Sequence, residues 1–382
     1  MSVLTNIPNI WKNIKEMDLR PLREQATRIV KIAIIGAPGS GRAELAHQIR
    51  SDPAHGNMET QTPLLAAGLD AFQQAEGADL ILLLVSDGSE EDHVREALKG
   101  GWQSAGKKIV LLVNQSKSQA ETVPGAWEGL GARHILYGPV EDVDFLLREL
   151  APAVIEMLPE QLMALGRYFP LFREPIARKL INDTCMSNAT YTISTGLAEI
   201  VPVLDIPLNV ADIFVLSKAQ AFLVYKLGLT LGLSTQWQDY VTEFGSVLGS
   251  GFLWRQLARS LVGLIPAWGI VPKVAVAYAG TYVVGNVVLQ WYLTGRHVTR
   301  KQMQALYRQA FARGKNVAGD LLRRVSRPSK RDRKRISLPF SKRRRTCPNC
   351  GRQNSPQADF CQYCGQSLAD DKHSLPEGSD AK

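Results

Sequence analysis

The chain has 382 residues, 45% of them hydrophobic, which predicts two or three domains with real cores and excludes a wholly disordered chain. Its net charge of +9 is uneven, because residues 296–346 hold 18 Lys and Arg against two Asp. That segment alone is +16 and the remainder is −7, so only the segment predicts an anionic partner.

An amphipathic helix is predicted at residues 1–28, which lack the continuous apolar core of a cleavable signal peptide. Apolar residues recur there at spacings of three and four, with Lys12, Lys15 and Glu16 between them. Two interpretations are open: the helix packs on the body of the protein, or it lies on a membrane surface.

The stretch 32–43, IAIIGAPGSGRA, predicts a strand, a glycine-rich loop and a helix. This is the order of a phosphate cradle, in which backbone N–H groups and a helix N-terminus face an anion. Gly36 and Gly41 stand at the glycine positions of G-x-x-x-x-G-K-[ST], whereas Arg42 and Ala43 replace Lys and Ser/Thr. Arg42 keeps the positive charge, but Ala43 lacks the hydroxyl that holds Mg²⁺.

Apolar runs alternate with helical segments over residues 29–158, which predicts an α/β domain with a parallel sheet covered on both faces. A Rossmann-like domain, whose glycine turn only lets helix pack on strand, is the alternative. The predicted strands are Ile29–Ile35, Leu80–Val85, Ile109–Val113 and His134–Tyr137, and the predicted helices are Arg42–Ile49, Glu90–Leu98 and Val143–Met157.

The third strand ends in Asn114-Gln115-Ser116-Lys117. With the glycine loop before it, this layout resembles the small GTPase domains of the Era-like group, where Asn-Lys-x-Asp recurs at this point. The resemblance implies that Asn114 helps to hold the base loop. Lys117 stands where the guanine-reading Asp would be, and a cation cannot accept hydrogen bonds from guanine.

The family also has two further strands, two switch regions and an Asp-x-x-Gly motif after the first helix. Here about 30 residues separate that helix from Leu80, and they contain no Asp-x-x-Gly. We therefore expect nucleotide binding, of GTP or GDP, with little or no hydrolysis. The candidate nucleotide-binding residues are Gly36, Gly39, Ser40, Gly41, Arg42, Ala43, Asn114 and Lys117.

Long helices are predicted over residues 159–312, among them Arg167–Met186 with Cys185 in the core, and Ala198–Gly232 with a break at Pro202–Pro207. The 21 uncharged residues Val274–Thr294 are long enough to cross a membrane, and Pro272 and Lys273 separate them from a first uncharged stretch. This pattern is consistent with two interpretations. In one, residues 261–294 and 296–346 contact a membrane; in the other, the helices form a bundle in a water-soluble protein. A stripe of small residues allows close helix contact: Ala277, Thr281 and Gly285.

Residues 167–311 resemble a bacterial domain of unknown function that follows Era-like GTPase domains. The resemblance depends on Phe169–Arg173, Pro202–Pro207, Ala211-Asp212, Gln220 and a helix centred on Thr281. It implies a membrane-linked role and supplies no catalytic residue.

Residues 313–346 are predicted to form a disordered basic linker, because blocks of like charge repel one another. An anionic leaflet is one partner for it, and nucleic acid is the competing one. A merely solvated linker is the third interpretation.

Two C-x-x-C-G motifs at residues 347–368 predict a zinc ribbon, because each places two thiolates on one tight turn. Its predicted structural zinc ligands are Cys347, Cys350, Cys361 and Cys364, with a pair of disulfides as the alternative. Residues 369–382 are predicted to be a disordered tail.

Together these patterns predict a membrane-associated, GTPase-like scaffold or regulator on the cytoplasmic side of an inner membrane. The predicted architecture is an α/β P-loop domain, an all-α domain and a Cys₄ zinc ribbon that docks an unidentified protein. An active NTPase and a sequence-nonspecific nucleic-acid-binding protein are the alternatives.

Overall fold

A computed structural model describes residues 18–55, 58–69, 74–75, 77–86, 94, 108–115, 132–198, 210–240, 270–296, 298–326, 345–354 and 368. Several predictions fall outside these residues. They include residues 1–17 of the predicted helix at 1–28, most of the helix Glu90–Leu98, the break at Pro202–Pro207, the first uncharged stretch up to residue 269, residues 327–344 of the predicted linker, and residues 369–382.

A five-stranded parallel sheet forms the first half of the described chain, with strand order β4-β1-β5-β6-β7. Its central strands are fully buried apolar runs, as expected for a sheet covered on both faces. The chain leaves β1 toward β4 on one side and returns to β5 on the other, so the topological switch point lies between β1 and β5. The strands are β1 (Ile32–Gly36), β4 (Leu64–Ala67), β5 (Leu80–Val85), β6 (Ile109–Asn114) and β7 (His134–Gly138).

Strand β4 is absent from the sequence-based prediction, which placed no strand between the first helix and Leu80. It pairs in parallel with β1 at the edge of the sheet. Its four residues, LLAA, carry little of the β-branched signal that marks a strand, and Ala66 is exposed. A short antiparallel ribbon precedes it, formed by β2 (Ser51–Asp52) and β3 (Met58–Glu59).

Helices cover the sheet, and their bounds follow the predicted periodicity closely in this half. The predicted Val143–Met157 is helical throughout but contains a π-helical segment, Leu146–Leu150. The helices of this half of the chain are α1 (Arg20–Thr27), α2 (Arg42–Arg50), α3 (Val143–Phe145 continuing through Leu146–Leu150 to Ala151–Met157) and α4 (Leu162–Tyr168). Helix α1 does not cover the sheet, because Leu22 and Ala26 are buried in the core of the long helices that follow.

The hydrophobic core of the sheet half extends past residue 158, where a domain boundary was predicted. Phe169, Phe172 and Ile176 are fully buried in the same cluster as the inner residues of β1 and α2. The predicted helix Arg167–Met186 is also wrong at its start. Pro170 interrupts it, so α4 ends at Tyr168 and a 3₁₀ turn, Pro170–Phe172, leads into the next helix.

Four long helices form the second half of the described chain: α5 (Arg173–Ala198), α6 (Val210–Thr230), α7 (Ile270–Thr294) and α8 (Arg300–Ser326). Helix α7 starts before Pro272, which stands in its first turn, where proline is tolerated. Cys185 is fully buried in the core of this half, as predicted.

The small-residue stripe of α7 lies against α5. A Cβ on Gly285 would come within 2.7 Å of Ile181 Cγ1, so the contact requires glycine. One turn earlier, Asn188 Nδ2 donates to Thr281 Oγ1 at 2.8 Å inside the core. The stripe therefore serves close packing, as predicted from its spacing.

Helix α8 extends to Ser326, so the predicted disordered linker is wrong for residues 313–326. Counting charges missed the apolar stripe of Val317, Ala318 and Leu321, which packs in the core of this half. Gly314 permits the contact, because a Cβ there would lie 2.8 Å from Ala275 Cα.

A buried ion pair joins the two halves. Arg173 Nη1 donates to Asp52 Oδ2 at 2.8 Å, and the two side chains are 16% and 6% exposed. Tyr168 adds a hydrogen bond from its hydroxyl to the Thr27 carbonyl. Because α2 ends just before Asp52, this pair fixes the C-terminal end of α2 against the start of α5.

Candidate functional site

The loop between β1 and α2 begins with a tight turn over Ala37-Pro38-Gly39-Ser40. The Ser40 N–H donates to the Ala37 carbonyl at 3.2 Å, and Gly39 has a φ of +85°. Proline at the second position and a left-handed glycine at the third are features of a type II turn. A Cβ on Gly39 would meet no atom of the described residues within 4 Å, and Gly39 is exposed, so this side of the loop is open in the described part of the chain.

Gly41 is the N-cap of α2 and turns the chain into the helix with a φ of +97°. The first helical bond, from the Leu45 N–H to the Gly41 carbonyl, is 2.9 Å. No side chain of the described residues caps this helix end. The first N–H groups of α2 therefore keep the capacity to bind an anion.

Asn114, at the end of β6, supports the loop from beneath. Its Nδ2 donates to the Ser40 carbonyl at 2.9 Å, and its Oδ1 accepts from the Val140 N–H at 3.1 Å. A Cβ on Gly41 would lie 2.6 Å from Asn114 Nδ2 and 3.0 Å from Val140 Cγ2. The side chain thus ties the glycine loop to the turn that follows β7.

Gly36 closes the loop on the sheet side. A Cβ at this position would lie 2.3 Å from the Leu84 carbonyl oxygen of β5 and 2.7 Å from Ser40 Oγ. Ser40 is fully buried, and its hydroxyl has no hydrogen-bond partner among the described residues. Both glycines of the motif, Gly36 and Gly41, are therefore required, because neighbouring atoms come too close for a Cβ.

The predicted site residues around this loop lie together. Arg42 occupies the first position of α2, is half-buried, and forms no ion pair in the described part of the chain. Ala43 is exposed at the next position. Lys117 lies outside the described residues. The sequence-based analysis missed Val140, because a backbone N–H leaves no residue-type signal.

The position of the loop in the fold is that of a ligand site in open α/β sheets. It follows β1 at the carboxyl edge of the sheet, beside the switch point between β1 and β5. Asn114 reaches it from the carboxyl end of β6. Ligands of such folds bind in the crevice outside these strand ends.

A second candidate site is the cysteine turn at residues 347–352. The Gly351 N–H donates to the Cys347 carbonyl and the Cys347 N–H to the Arg352 carbonyl, both at 2.9 Å, with Gly351 at a φ of +67°. Short strands β8 (Arg345–Thr346) and β9 (Gln353–Asn354) flank the turn. Cys361 and Cys364 lie outside the described residues. The described residues alone contain no group of His, Cys, Asp and Glu that could hold a metal ion.

Within the described residues, α7 is long and apolar enough to cross a membrane. However, 67% of its most apolar window is buried inside the protein. The core helix of a bundle has the same properties, so length and composition do not decide between the two predictions for this segment.

Residues 342–369 match the family described as Domain of unknown function (DUF7575). The matched residues contain the cysteine turn and all four cysteines of the predicted ribbon. No curated protein matches the chain.

Proposed function

We propose that the glycine loop binds the phosphate groups of a nucleotide and that the chain hydrolyses it slowly or not at all. The observation that carries this proposal is the bridge through Asn114, which fixes the loop from beneath while its other side is open. A glycine turn that served only helix–strand packing would not need this second support from β6.

Two features favour an anion as the ligand. Gly39 is exposed and its Cα faces open space, so a ligand can approach the backbone closely. The uncapped N-terminus of α2 and the guanidinium of Arg42 add positive potential at the same end of the loop. Backbone N–H groups of this kind hold phosphate in Gly-rich loops.

Slow or absent hydrolysis is proposed from Ala43. A hydroxyl at this position normally binds Mg²⁺, which neutralises charge during phosphoryl transfer, and a methyl group has no lone pair to offer. Binding with weak dependence on Mg²⁺ is therefore expected. An active NTPase, in which substrate and water hold the metal, is the competing function.

The test is a calorimetric titration of the full chain with GTP, GDP, ATP and pyrophosphate, with and without Mg²⁺. We compare wild type with Gly39→Ala and with Gly77→Ala. An added Cβ would meet nothing within 4 Å at either glycine, but only Gly39 needs a positive φ. An L-residue there costs roughly 1–2 kcal/mol, so Gly39→Ala should weaken binding about tenfold while Gly77→Ala leaves it unchanged.

The outcomes separate the alternatives. The proposal is supported if wild type binds every polyphosphate tested and if Gly39→Ala weakens that binding. No binding of any of them at millimolar concentration refutes it. Mg²⁺-dependent turnover that disappears in Arg42→Ala would instead identify an active NTPase.

We also propose that the cysteine turn is half of a structural Cys₄ zinc site, in which all four thiolates leave no open position. This proposal is supported by the tight turn that holds Cys347 and Cys350. Two backbone hydrogen bonds form the turn, from the Gly351 N–H to the Cys347 carbonyl and from the Cys347 N–H to the Arg352 carbonyl. Bound zinc would hold the small β8–β9 ribbon, which has few buried apolar residues of its own among the described ones.

Metal analysis and thiol labelling of the full chain test this second proposal. Wild type should contain one zinc, and Cys347→Ser should lose it; the same zinc content in both proteins would refute the site. Cys185→Ser is the matched control, because Cys185 is buried in another core and burial raises the pKa of its thiol to about 12. Removing zinc with a chelator should expose four reactive thiols in that control protein.

A further inference from the structure

Helix α8 presents a basic face to solvent. The helix contains seven Lys and Arg residues and one Asp. Its inner face packs on α7 through Tyr307 and Ala310, which are buried, so the charged residues lie outward. The exposed cations whose surroundings are described are Lys301, Arg308, Arg313, Lys315 and Arg323.

Three of these cations form a straight row. Lys301, Arg308 and Lys315 are seven residues apart, which places them on one side of the helix at steps of about 10 Å. The exposed residues Ala305 and Ala312 stand between them and leave the row uncovered. In the described part of the chain none of the three forms an ion pair, whereas Arg323 pairs with Asp320 at 2.9 Å.

The same packing constrains how a membrane could be approached. Helix α8 runs antiparallel along α7, with Gly314 against Ala275, and Tyr307 in one cluster with Val283. If α7 crossed a bilayer in this arrangement, Arg308, next to Tyr307, would lie near the depth of its apolar middle, whereas Lys315 would lie closer to its first turns. A cation in the middle of the hydrocarbon layer is strongly disfavoured. The arrangement therefore favours contact between the outer face of α8 and the membrane surface.

We propose that the outward face of α8 docks on an anionic lipid surface and that the chain binds it peripherally. A row of about 20 Å formed by three exposed cations suits a flat, negatively charged surface. Of the aromatic residues of α8, Tyr307 is buried on the inner side, and the half-buried Phe311 ring is covered by Lys315, whose Nζ lies 5.5 Å from the ring centroid, so neither ring offers exposed bases an open stacking platform. Lipid is therefore favoured over nucleic acid as the partner.

The experiment is co-sedimentation of the full chain with phosphatidylcholine vesicles containing 0% or 30% phosphatidylglycerol, at low and at 0.5 M salt. The test variant is Lys301→Gln/Arg308→Gln/Lys315→Gln. The matched control is Arg28→Gln/Lys31→Gln/Lys108→Gln, which removes the same charge from exposed positions in the sheet half. A third variant neutralises Lys330, Arg331, Arg333, Lys334 and Arg335 in the basic sequence beyond α8.

Wild type should bind only the anionic vesicles and be released by high salt. At about tenfold for every 1.4 kcal/mol and about 1 kcal/mol for each cation, the α8 triple variant should bind roughly 100-fold more weakly. The control triple variant should bind like wild type. Unchanged binding of the α8 variant, or loss only in the third variant, would overturn the proposal.

Two further readouts are decisive. Carbonate extraction of cell membranes should release the chain, and retention in the membrane pellet would refute peripheral binding. A 20-base-pair DNA duplex should bind more weakly than anionic vesicles. Tighter binding to the duplex, lost in the α8 triple variant, would assign the row to nucleic acid instead.

Discussion

The two halves of the described chain use partly or fully buried polar side chains differently. In the sheet half, Asn114 and Ser40 converge beneath a glycine loop whose outer side is open. In the helical half, Asn188 and Thr281 bond to each other inside the core, and Thr281 also donates to the Ala277 carbonyl. The same residue types thus shape a surface that can receive a ligand in one half, and hold two helices together in the other.

The first prediction tests whether the helical half depends on tight packing. Gly314→Ala would place a Cβ 2.8 Å from Ala275 Cα, so it should lower the free energy of unfolding by about 1–3 kcal/mol. Gly319→Ala, on the same helix, has Arg323 Nη2 at 4.0 Å as its nearest neighbour. It should stabilise the protein by about 0.5–1 kcal/mol through helix propensity.

Denaturant unfolding of both variants gives the answer. Opposite signs for the two substitutions would confirm that α7 and α8 are in close backbone contact. Equal effects would contradict that packing, and with it the inference that Arg308 of α8 lies beside the middle of α7.

The second prediction sharpens the comparison itself. Asn114→Ala leaves the Ser40 carbonyl and the Val140 N–H without their partner, and Asn188→Ala removes the bond to Thr281. Each should cost about 1–3 kcal/mol of stability. Only Asn114→Ala should also weaken polyphosphate binding, by about tenfold or more, because only it supports the loop.

Unfolding and calorimetric titration on the same two proteins separate these effects. If Asn188→Ala weakened binding as much as Asn114→Ala, general destabilisation would explain both results. The proposed distinction between the two halves would then fail.

The third prediction concerns the open side of the loop and has the smallest effect on the fold. Arg42→Ala should change stability by less than about 0.5 kcal/mol, since Arg42 forms no ion pair in the described chain. It should weaken pyrophosphate binding several-fold, with a smaller loss at high salt. Arg28→Ala is the control, because Arg28 is exposed just after α1, at the amino edge of the sheet.

The sequence predicts the central strands well, because a buried parallel strand is a continuous apolar run between polar residues. Strand β5 matches its prediction residue for residue, and β1, β6 and β7 differ from theirs only at their ends. Edge strand β4 could not be found in this way, since its LLAA sequence is short and half-exposed. Its pairing with β1 depends on tertiary contacts.

The site was predictable in part for a similar reason. Gly36, Gly41 and Asn114 have residue-type signals, because a close backbone approach requires glycine and a bridge requires a side-chain amide. The role of Val140 depends on its backbone N–H, which any residue except proline offers. The charge of α8 misled the prediction, because seven cations in 27 residues obscured the apolar stripe that packs on α7.

The most direct test of the open phosphate cradle is a proton–nitrogen spectrum of the full chain labelled with ¹⁵N-glycine, recorded during titration with pyrophosphate. We predict that the amide signals of Gly39 and Gly41 shift in a saturable way while that of Gly77 does not, each signal being assigned by its loss in Gly39→Ala, Gly41→Ala or Gly77→Ala. Saturable shifts confined to other glycines, or no shift at millimolar pyrophosphate, would contradict the account.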